Sequence, residues 1–190
     1  MPRNEGHAIA TVGPCEGVGP TLASRLAMAI DPAEFRAVLG AYPTGVCVVT
    51  STDMSGNHHA MVVGSFCSIS LDPPLVGFFP AKTSRTWRAM RDCTRFCINV
   101  LGANHTEYCD KFTARAADKF AGINAHSSPG GQPRLQDALA WIDVTVAHIT
   151  DVGDHDLVVG RVTALAAAAT GEPLIFFRGR YRALAGQGAT

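Results

Sequence analysis

The sequence predicts a mainly β protein with a few helices, an antiparallel barrel of Greek-key type. About seven short runs have strand character and are separated by turn signals, as in antiparallel β domains. The runs do not alternate regularly with long helices, so a parallel sheet with crossover helices is not expected. No Gly-x-Gly-x-x-Gly fingerprint is present, which argues against a Rossmann nucleotide domain.

The composition is that of an ordinary globular domain. Its 190 residues are 47% hydrophobic and 17% charged, with 16 basic and 16 acidic side chains. This zero balance gives no reason to expect nucleic acid or an anionic membrane as a partner. No apolar run reaches the roughly 18 residues of a membrane span. The chain start lacks a basic segment followed by an apolar core, so we expect a cytoplasmic protein with reduced cysteines.

Three segments are expected along the chain. Residues 1–30 are rich in Gly and Pro and predict a poorly ordered arm. Residues 31–184 hold the folded domain, and residues 185–190 form a C-terminal tail.

The domain opens with a helix signal. Asp31 can cap the helix and Pro32 suits its first position. An apolar face follows at helical spacing and ends before Pro43; it consists of Phe35, Val38, Leu39 and Tyr42.

The stretch from Ala60 to Pro74 dominates the strand prediction. It starts as an apolar run, alternates from Ser68 and stops at a double proline, where pairing must end. Gly64–Ser65 interrupts this predicted strand. Glycine weakens a strand unless something approaches its backbone closely, and a flat ring or a phosphate would do so. A β-bulge or a barrel corner is the alternative explanation.

The remaining elements follow from turn signals and periodicity. Helices are predicted from Ser84 to about Asp92, and from a cap at Asn104 or Thr106 toward Ala117. A surface loop is predicted over Ile123–Gln136 and a tight turn over Val152–Asp156. Further strands are predicted at 45–50, 75–80, 96–101, 141–149, 157–165 and 174–181.

Polar residues come immediately after the predicted strand at 75–80. The Lys82–Thr86 loop offers hydroxyl, ammonium and guanidinium donors, which suit an anion such as a phosphate. A capped helix with solvated charges explains the same residues. No metal site is expected, because His58 and His59 are neighbours on a strand and point to opposite faces. Cys93-x3-Cys97 also lacks the second pair of a zinc site.

Several motifs together resemble a known family. They are Ser65-Phe66-x-Ser68-x-Ser70-Leu71-Asp72-Pro73-Pro74, the Lys82–Thr86 loop, Arg95–Leu101, Asp118–Gly122 and Gly153–His155. In this order the chain resembles the flavin reductase family, from about Phe35 to about Leu184. The family has the FMN-binding split β-barrel fold. Its members include the reductase components of two-component flavin-dependent monooxygenases.

The resemblance implies an NAD(P)H:flavin oxidoreductase. Hydride would pass from the nicotinamide to FMN or FAD, and the reduced flavin would go to a partner monooxygenase. Members of this family are usually homodimers, so the resemblance also implies a homodimer. Two other interpretations stay open: a flavoprotein that keeps FMN tightly and reduces another acceptor, and a flavin-binding module without turnover.

The resemblance also assigns candidate site residues. The phosphate clamp would be Lys82, Ser84, Arg85 and Thr86, and the flavin ring would be lined by Met61, Val62, Gly64, Ser65, Phe79, Pro80 and Ala81. Lys111–Phe112 would lie at the flavin edge, and the Gly153-Asp154-His155 turn near the nicotinamide, with His155 the catalytic candidate. Many family members have a polar side chain at the position of Gly64, and this chain offers only backbone there.

The last predicted strand carries three arginines. Arg178, Arg180 and Arg182 alternate and would share one face. We expect a solvated face, with contact to the phosphates of a dinucleotide as the alternative.

Overall fold

A computed structural model describes residues 30–115 and 118–184. The predicted arm, apart from residue 30, and the predicted tail lie outside these residues. Among the described residues, those up to Val38 and those from Leu39 onward belong to two separate units. The predicted domain limits at residues 30 and 184 stay a prediction.

Three helices and twelve strands are present in the described residues. The helices are α1 (Pro32–Leu39), α2 (Arg85–Met90) and α3 (Thr106–Thr113). The strands are β1 (Thr44–Gly45), β2 (Cys47–Thr52), β3 (His58–Val63), β4 (Cys67–Leu71), β5 (Pro74–Phe78), β6 (Arg95–Val100), β7 (Ala125–Ser127), β8 (Pro133–Leu135), β9 (Ala140–Val152), β10 (His155–Ala167), β11 (Ile175–Phe177) and β12 (Arg180–Arg182).

Most strands belong to one seven-stranded sheet in the order β3-β2-β6-β9-β10-β5-β4. Every pairing in it is antiparallel. A three-stranded sheet, β1-β11-β12, and a two-stranded sheet, β7-β8, accompany it. The prediction of a mainly β, antiparallel fold is confirmed.

Helix α1 begins as predicted. The Asp31 side chain accepts a hydrogen bond from the Glu34 N–H at 3.0 Å, which satisfies a donor of the first helical turn. The helix ends at Leu39, so Tyr42 lies beyond it.

Strand β2 is buried on both faces and separates two hydrophobic cores. Cys47 and Val49 point into the first core, whereas Val46, just before the strand, and Val48 point into the second. This alternation follows the period of two of a strand. Burial raises the pKa of the Cys47 thiol to about 12, so this cysteine stays protonated and packs as a small apolar side chain.

The predicted strand from Ala60 onward is two strands, so the prediction of one continuous strand is wrong. β3 ends at Val63 and β4 begins at Cys67, with Gly64 at the break. A Cβ atom on Gly64 would lie 2.8 Å from the Thr44 hydroxyl oxygen, so the close neighbour of this glycine is a side chain of β1. The double proline does end β4, because Leu71 pairs with Pro74 across a tight turn.

The predicted surface loop over Ile123–Gln136 is wrong in part. It contains β7 and β8, and the side chains of Pro133 and Leu135 are buried. The buried Asn99 side chain accepts a hydrogen bond from the Leu135 N–H at 2.8 Å, which satisfies the backbone of β8. A long-range amide partner of this kind leaves no local sequence pattern.

Two further predictions are corrected at helix and strand ends. The segment Leu174–Tyr181 is split into β11 and β12 by a turn in which Arg178 has a φ of 47°. Arg178 therefore does not share a strand face with Arg180, which is exposed. Helix α3 ends at Thr113, and neither predicted residue caps its start, where His105 occupies the N-cap position.

No helix among residues 30–115 and 118–184 is long and apolar enough to cross a membrane. The five cysteines in these ranges are free thiols. Cys67, which belongs to the single strand predicted from Ala60 onward, is exposed at the start of β4.

A buried carboxylate ties α2 to β10. Asp156 is 1% exposed, and its Oδ2 accepts a hydrogen bond of 2.7 Å from the indole N–H of Trp87 and one of 3.3 Å from Arg91 Nε. Trp87 packs edge-on against Phe78, which places the indole in the first core. A buried carboxylate requires such donors, because its unpartnered charge would be costly.

We expect Trp87→Phe to lower the free energy of unfolding by about 1.5–3 kcal/mol, since a hydrogen bond to a charged group is lost. Urea unfolding measures the change. Trp141, which is half-buried under the Arg134 guanidinium and whose indole makes no hydrogen bond to the described residues, provides the control Trp141→Phe. A double-mutant cycle with Asp156→Asn should show coupling between the two positions. If Trp87→Phe and Trp141→Phe lower the free energy of unfolding equally, Asp156 does not stabilise α2 through the Trp87 indole.

Candidate functional site

A cationic cleft of about 550 Å³ lies beside the first turn of α2. Its polar lining consists of Ser84, Arg85, Thr86, Thr113, Arg115 and Lys119. Three cations and three hydroxyl groups thus converge on one concavity. Charge-assisted hydrogen bonds from such groups are the usual means of holding a phosphate.

Hydrogen bonds to α2 and to α3 hold Lys119 in this cleft. Its ammonium group donates to the Phe112 carbonyl at 2.7 Å and to the Thr86 hydroxyl at 3.2 Å. Burial, and then the positive charge of Arg85, lower the pKa of Lys119. A lysine held beside a like charge and partly removed from water gains from an anion that neutralises it.

A second candidate region forms where the end of β5 meets the β9–β10 turn. The Lys82 N–H donates to the Asp154 carbonyl and the Asp156 N–H donates to the Pro80 carbonyl, both at 3.0 Å. Ala81 and His155 form an isolated antiparallel bridge. These bonds bring together two sequence motifs that lie far apart along the chain.

The His155 ring is partly exposed in this region. Its Nδ1 lies 2.7 Å from Asp154 Oδ1, and the His155 side chain is 41% exposed. This hydrogen bond is the main cause of the lowered pKa of Asp154. The carboxylate orients the imidazole, whose other nitrogen is left for a ligand.

The four residues of the predicted clamp separate in the structure. Ser84, Arg85 and Thr86 line the cationic cleft, and Ser84 also caps α2 by accepting a hydrogen bond from the Trp87 N–H. Lys82 instead pairs with Asp151 and donates to the Gly153 carbonyl at 2.6 Å. It therefore holds the β9–β10 turn and does not line the cleft.

The residues predicted to line a flavin ring also differ in their surroundings. The Ser65 hydroxyl accepts from the Phe79 N–H at 3.0 Å, which joins Ser65, Phe79 and Ala81 into one patch next to His155, whereas Pro80 is buried. The Met61 side chain is 8% exposed and belongs to the first core. Val62 is half-buried and Gly64 is exposed.

The predicted edge residues point in different directions. Phe112 is 2% exposed in the second core, so it can act on the cleft only through its carbonyl, which holds Lys119. Lys111 is exposed on α3 and does not line the cationic cleft.

Three polar residues of the cleft were absent from the predicted site: Lys119, Thr113 and Arg115. Lys119 carried a signal, because it lies in the Asp118–Gly122 motif of the resemblance and is one of only three lysines. Thr113 ends α3 and Arg115 lies just beyond it, and only the fold brings this end of the helix to α2. Within the described residues no three His, Cys, Asp or Glu side chains are arranged to hold a metal ion.

Comparison with known proteins matches residues 39–185 to the flavin reductase like domain family. A flavin reductase of Pseudomonas putida is 43% identical over 153 residues, which is 80% of this chain and 90% of the relative. The reductase subunit HsaB of a flavin-dependent monooxygenase of Rhodococcus jostii is 44% identical over 155 residues, 82% of this chain and 79% of the relative.

A solved structure has the same fold. The homologue of nitrilotriacetate monooxygenase component B from Mycobacterium thermoresistibile superposes with a TM-score of 0.78 at 41% identity, over 83% of this chain and 89% of that one.

The lowered pKa of Lys119 predicts how phosphate binding depends on pH. A phosphate monoester is close to doubly ionised above pH 7, while Lys119 loses its proton at a lower pH than an exposed lysine. The cleft therefore loses a positive charge as pH rises, and FMN affinity should fall by on the order of tenfold. Titrations from pH 7 up to the ordinary lysine pKa of about 10.4 measure this, with Lys119→Arg as the variant that stays charged. Identical pH profiles for both proteins would show that Lys119 does not contact the phosphate.

Proposed function

Because this chain belongs to the flavin reductase like domain family, whose split-barrel fold it has, we propose that it is an NAD(P)H:flavin oxidoreductase. It reduces FMN or FAD and delivers the reduced flavin to a partner monooxygenase. The observation that carries the proposal is the cationic cleft of Arg85, Arg115 and Lys119 with its hydroxyl groups. Such a cleft fits the phosphate of a flavin.

The rest of the cofactor fits the patch around Ser65 and Phe79. A flavin bound with its ring there would supply the acceptor for a hydride, which is chemistry of the cofactor and not of a side chain. The protein's contribution is to hold two rings in contact and in the correct orientation. Phe79 is 36% exposed and gives an apolar surface for this purpose. Gly64 adds no side chain, which suits a flavin that is released.

His155 is the residue we assign to the nicotinamide. It lies beside Ala81, at the end of the loop that leads into the cationic cleft. Its imidazole is oriented by Asp154 and stays partly exposed. It acts by hydrogen bonding and positioning, since hydride transfer needs no side-chain acid.

The proposal includes a homodimer, which is the habit of the family, and a cytoplasmic location. Sedimentation of the purified protein tests the dimer.

Following NADH absorbance with and without added FMN tests the function. We expect steady oxidation that needs added flavin. Arg85→Ala/Thr86→Ala should weaken FMN binding by about tenfold or more per lost contact, because charge-assisted hydrogen bonds are removed. Arg161→Ala, an exposed position on β10 outside the cleft, is the control. A yellow protein without turnover would favour a flavin-binding module, and a colourless, inert one would remove the proposal.

We expect His155→Ala to lower kcat/KM for the nicotinamide cofactor by a few-fold to about tenfold, the value of one lost hydrogen bond. FMN affinity and Tm should hold, because the side chain is 41% exposed and makes no core contact. Stopped-flow reduction of bound FMN, a flavin titration and a melting curve distinguish a histidine that contacts the nicotinamide from a structural one. A variant that loses stability and both affinities together would make His155 structural, and wild-type kinetics would place it outside the site.

A further inference from the structure

A separate cavity of about 220 Å³ lies between the β7–β8 turn and the strands β6, β9 and β10. Its polar side chains are Arg95, Gln132, Asp143, Thr145 and Thr163, and Pro129 and Ala164 add an apolar side. We call it the Asp143 cavity. It shares no lining residue with the cationic cleft, so the binding of a flavin phosphate there leaves it unexplained.

The Asp143 carboxylate is buried with only one of its two oxygens hydrogen-bonded. The residue is 1% exposed, and its Oδ2 accepts a hydrogen bond from the Gly130 N–H at 2.7 Å. Its Oδ1 is also buried and has no donor among the described residues. A buried carboxylate oxygen without a donor is costly, so the cavity gains from a ligand that donates to it.

The neighbours of Asp143 in the sheet do not neutralise its charge. Cys97 is the residue directly opposite it on β6. Burial, and then the negative charge of Asp143, raise the pKa of the Cys97 thiol, so this side chain stays neutral. The Arg134 guanidinium lies over the Trp141 ring, 5.4 Å from its centroid, and forms no ion pair with Asp143.

Arg95 brings a positive charge to the same cavity. It is exposed and forms no ion pair with the described residues. It pairs with Thr145, two residues from Asp143 on β9, so Arg95 and Asp143 are diagonal neighbours on one face of the sheet. Diagonal neighbours lie about 7–8 Å apart, which leaves room for a ligand between the two charges.

The structure around the carboxylate is fixed on two sides. A Cβ atom on Gly130 would lie 3.0 Å from Asp143 Oδ2, so a side chain there would crowd the carboxylate. The Gln132 Oε1 accepts a hydrogen bond from the Thr52 N–H at 2.7 Å, which anchors the β7–β8 turn to β2. Strand β10 has a bulge at Thr163, whose hydroxyl donates to the Asp143 carbonyl at 3.2 Å. Bulges of this kind redirect side chains beside binding sites.

We propose that the Asp143 cavity binds a small zwitterion, an α-amino acid such as alanine. Its ammonium group donates to Asp143 Oδ1 and to the Thr163 hydroxyl, and the Arg95 guanidinium holds its carboxylate. A simple cation would leave Arg95 unpaired, and a simple anion would leave Asp143 unpaired. At roughly 30 Å³ for each water-sized group the cavity takes about seven such groups, which suits a short amino acid. The inference goes beyond the proposed function and does not depend on it.

Calorimetric titration of the full chain with L-alanine tests the inference. Ethylamine and acetate serve as probes that carry only one of the two charges. We expect alanine to bind and to raise Tm as its concentration increases. Ethylamine and acetate should bind at least about tenfold more weakly, because each leaves one charged group of the cavity without a partner.

The variants are Asp143→Asn and Arg95→Gln. Each should weaken alanine binding by roughly tenfold or more, since a charge-assisted hydrogen bond is lost. The control is Arg180→Gln, because Arg180 is exposed on β12 outside the cavity. Arg95 is exposed, so Arg95→Gln carries the test if Asp143→Asn folds poorly. FMN affinity and NADH oxidation should stay at the wild-type level in all variants.

A wild-type protein that does not bind alanine overturns the inference, as do equal alanine affinities in all four proteins. A double-mutant cycle in urea, without alanine, should show Arg95 and Asp143 to be independent. Strong coupling would mean that Arg95 itself neutralises the carboxylate, and would also overturn the inference. A wild-type protein that binds alanine but reduces no flavin would overturn the proposed function and leave this site standing.

Discussion

The buried carboxylate of Asp156 connects the two halves of the candidate site. Its side chain holds α2 through the Trp87 indole, and its backbone N–H holds the end of β5 through the Pro80 carbonyl. One residue before it, His155 bridges to Ala81. A charge that is 1% exposed cannot move without losing its donors, so the cleft and the histidine turn are fixed relative to each other. Two rings that must meet for hydride transfer need such a rigid frame.

The same fixed geometry explains why Lys82, a residue of the predicted clamp, stabilises a turn and does not line the cleft. Lys82 lies in the loop between β5 and α2, and the β9–β10 turn pairs with that loop. Its ammonium group reaches Asp151 and the Gly153 carbonyl, which secures the turn that carries His155. The cleft receives its ammonium group from Lys119 instead. A sequence motif of adjacent donors thus supplies a ligand site and its support at the same time.

The strand β2 sets the overall architecture, because it is buried on both faces between two cores. Strand β3, its neighbour, is then held at the sheet edge, with α2 and α3 packed against it. This arrangement puts the cationic cleft, which α2 and α3 carry, beside this edge strand.

The sequence by itself determined the mainly β class, the cap of α1, the double-proline turn and the turn that carries His155. These depend on local signals: period-two burial, a capping carboxylate, missing N–H groups and glycine. It also indicated the flavin reductase family, because several motifs of that family occur in the same order along this chain. Only the tertiary structure decided that Gly64 faces Thr44, that Asn99 satisfies a buried strand within a polar segment, and that Lys119 and Arg115 join Arg85. Those contacts link residues far apart in sequence, and packing rather than local propensity selects them.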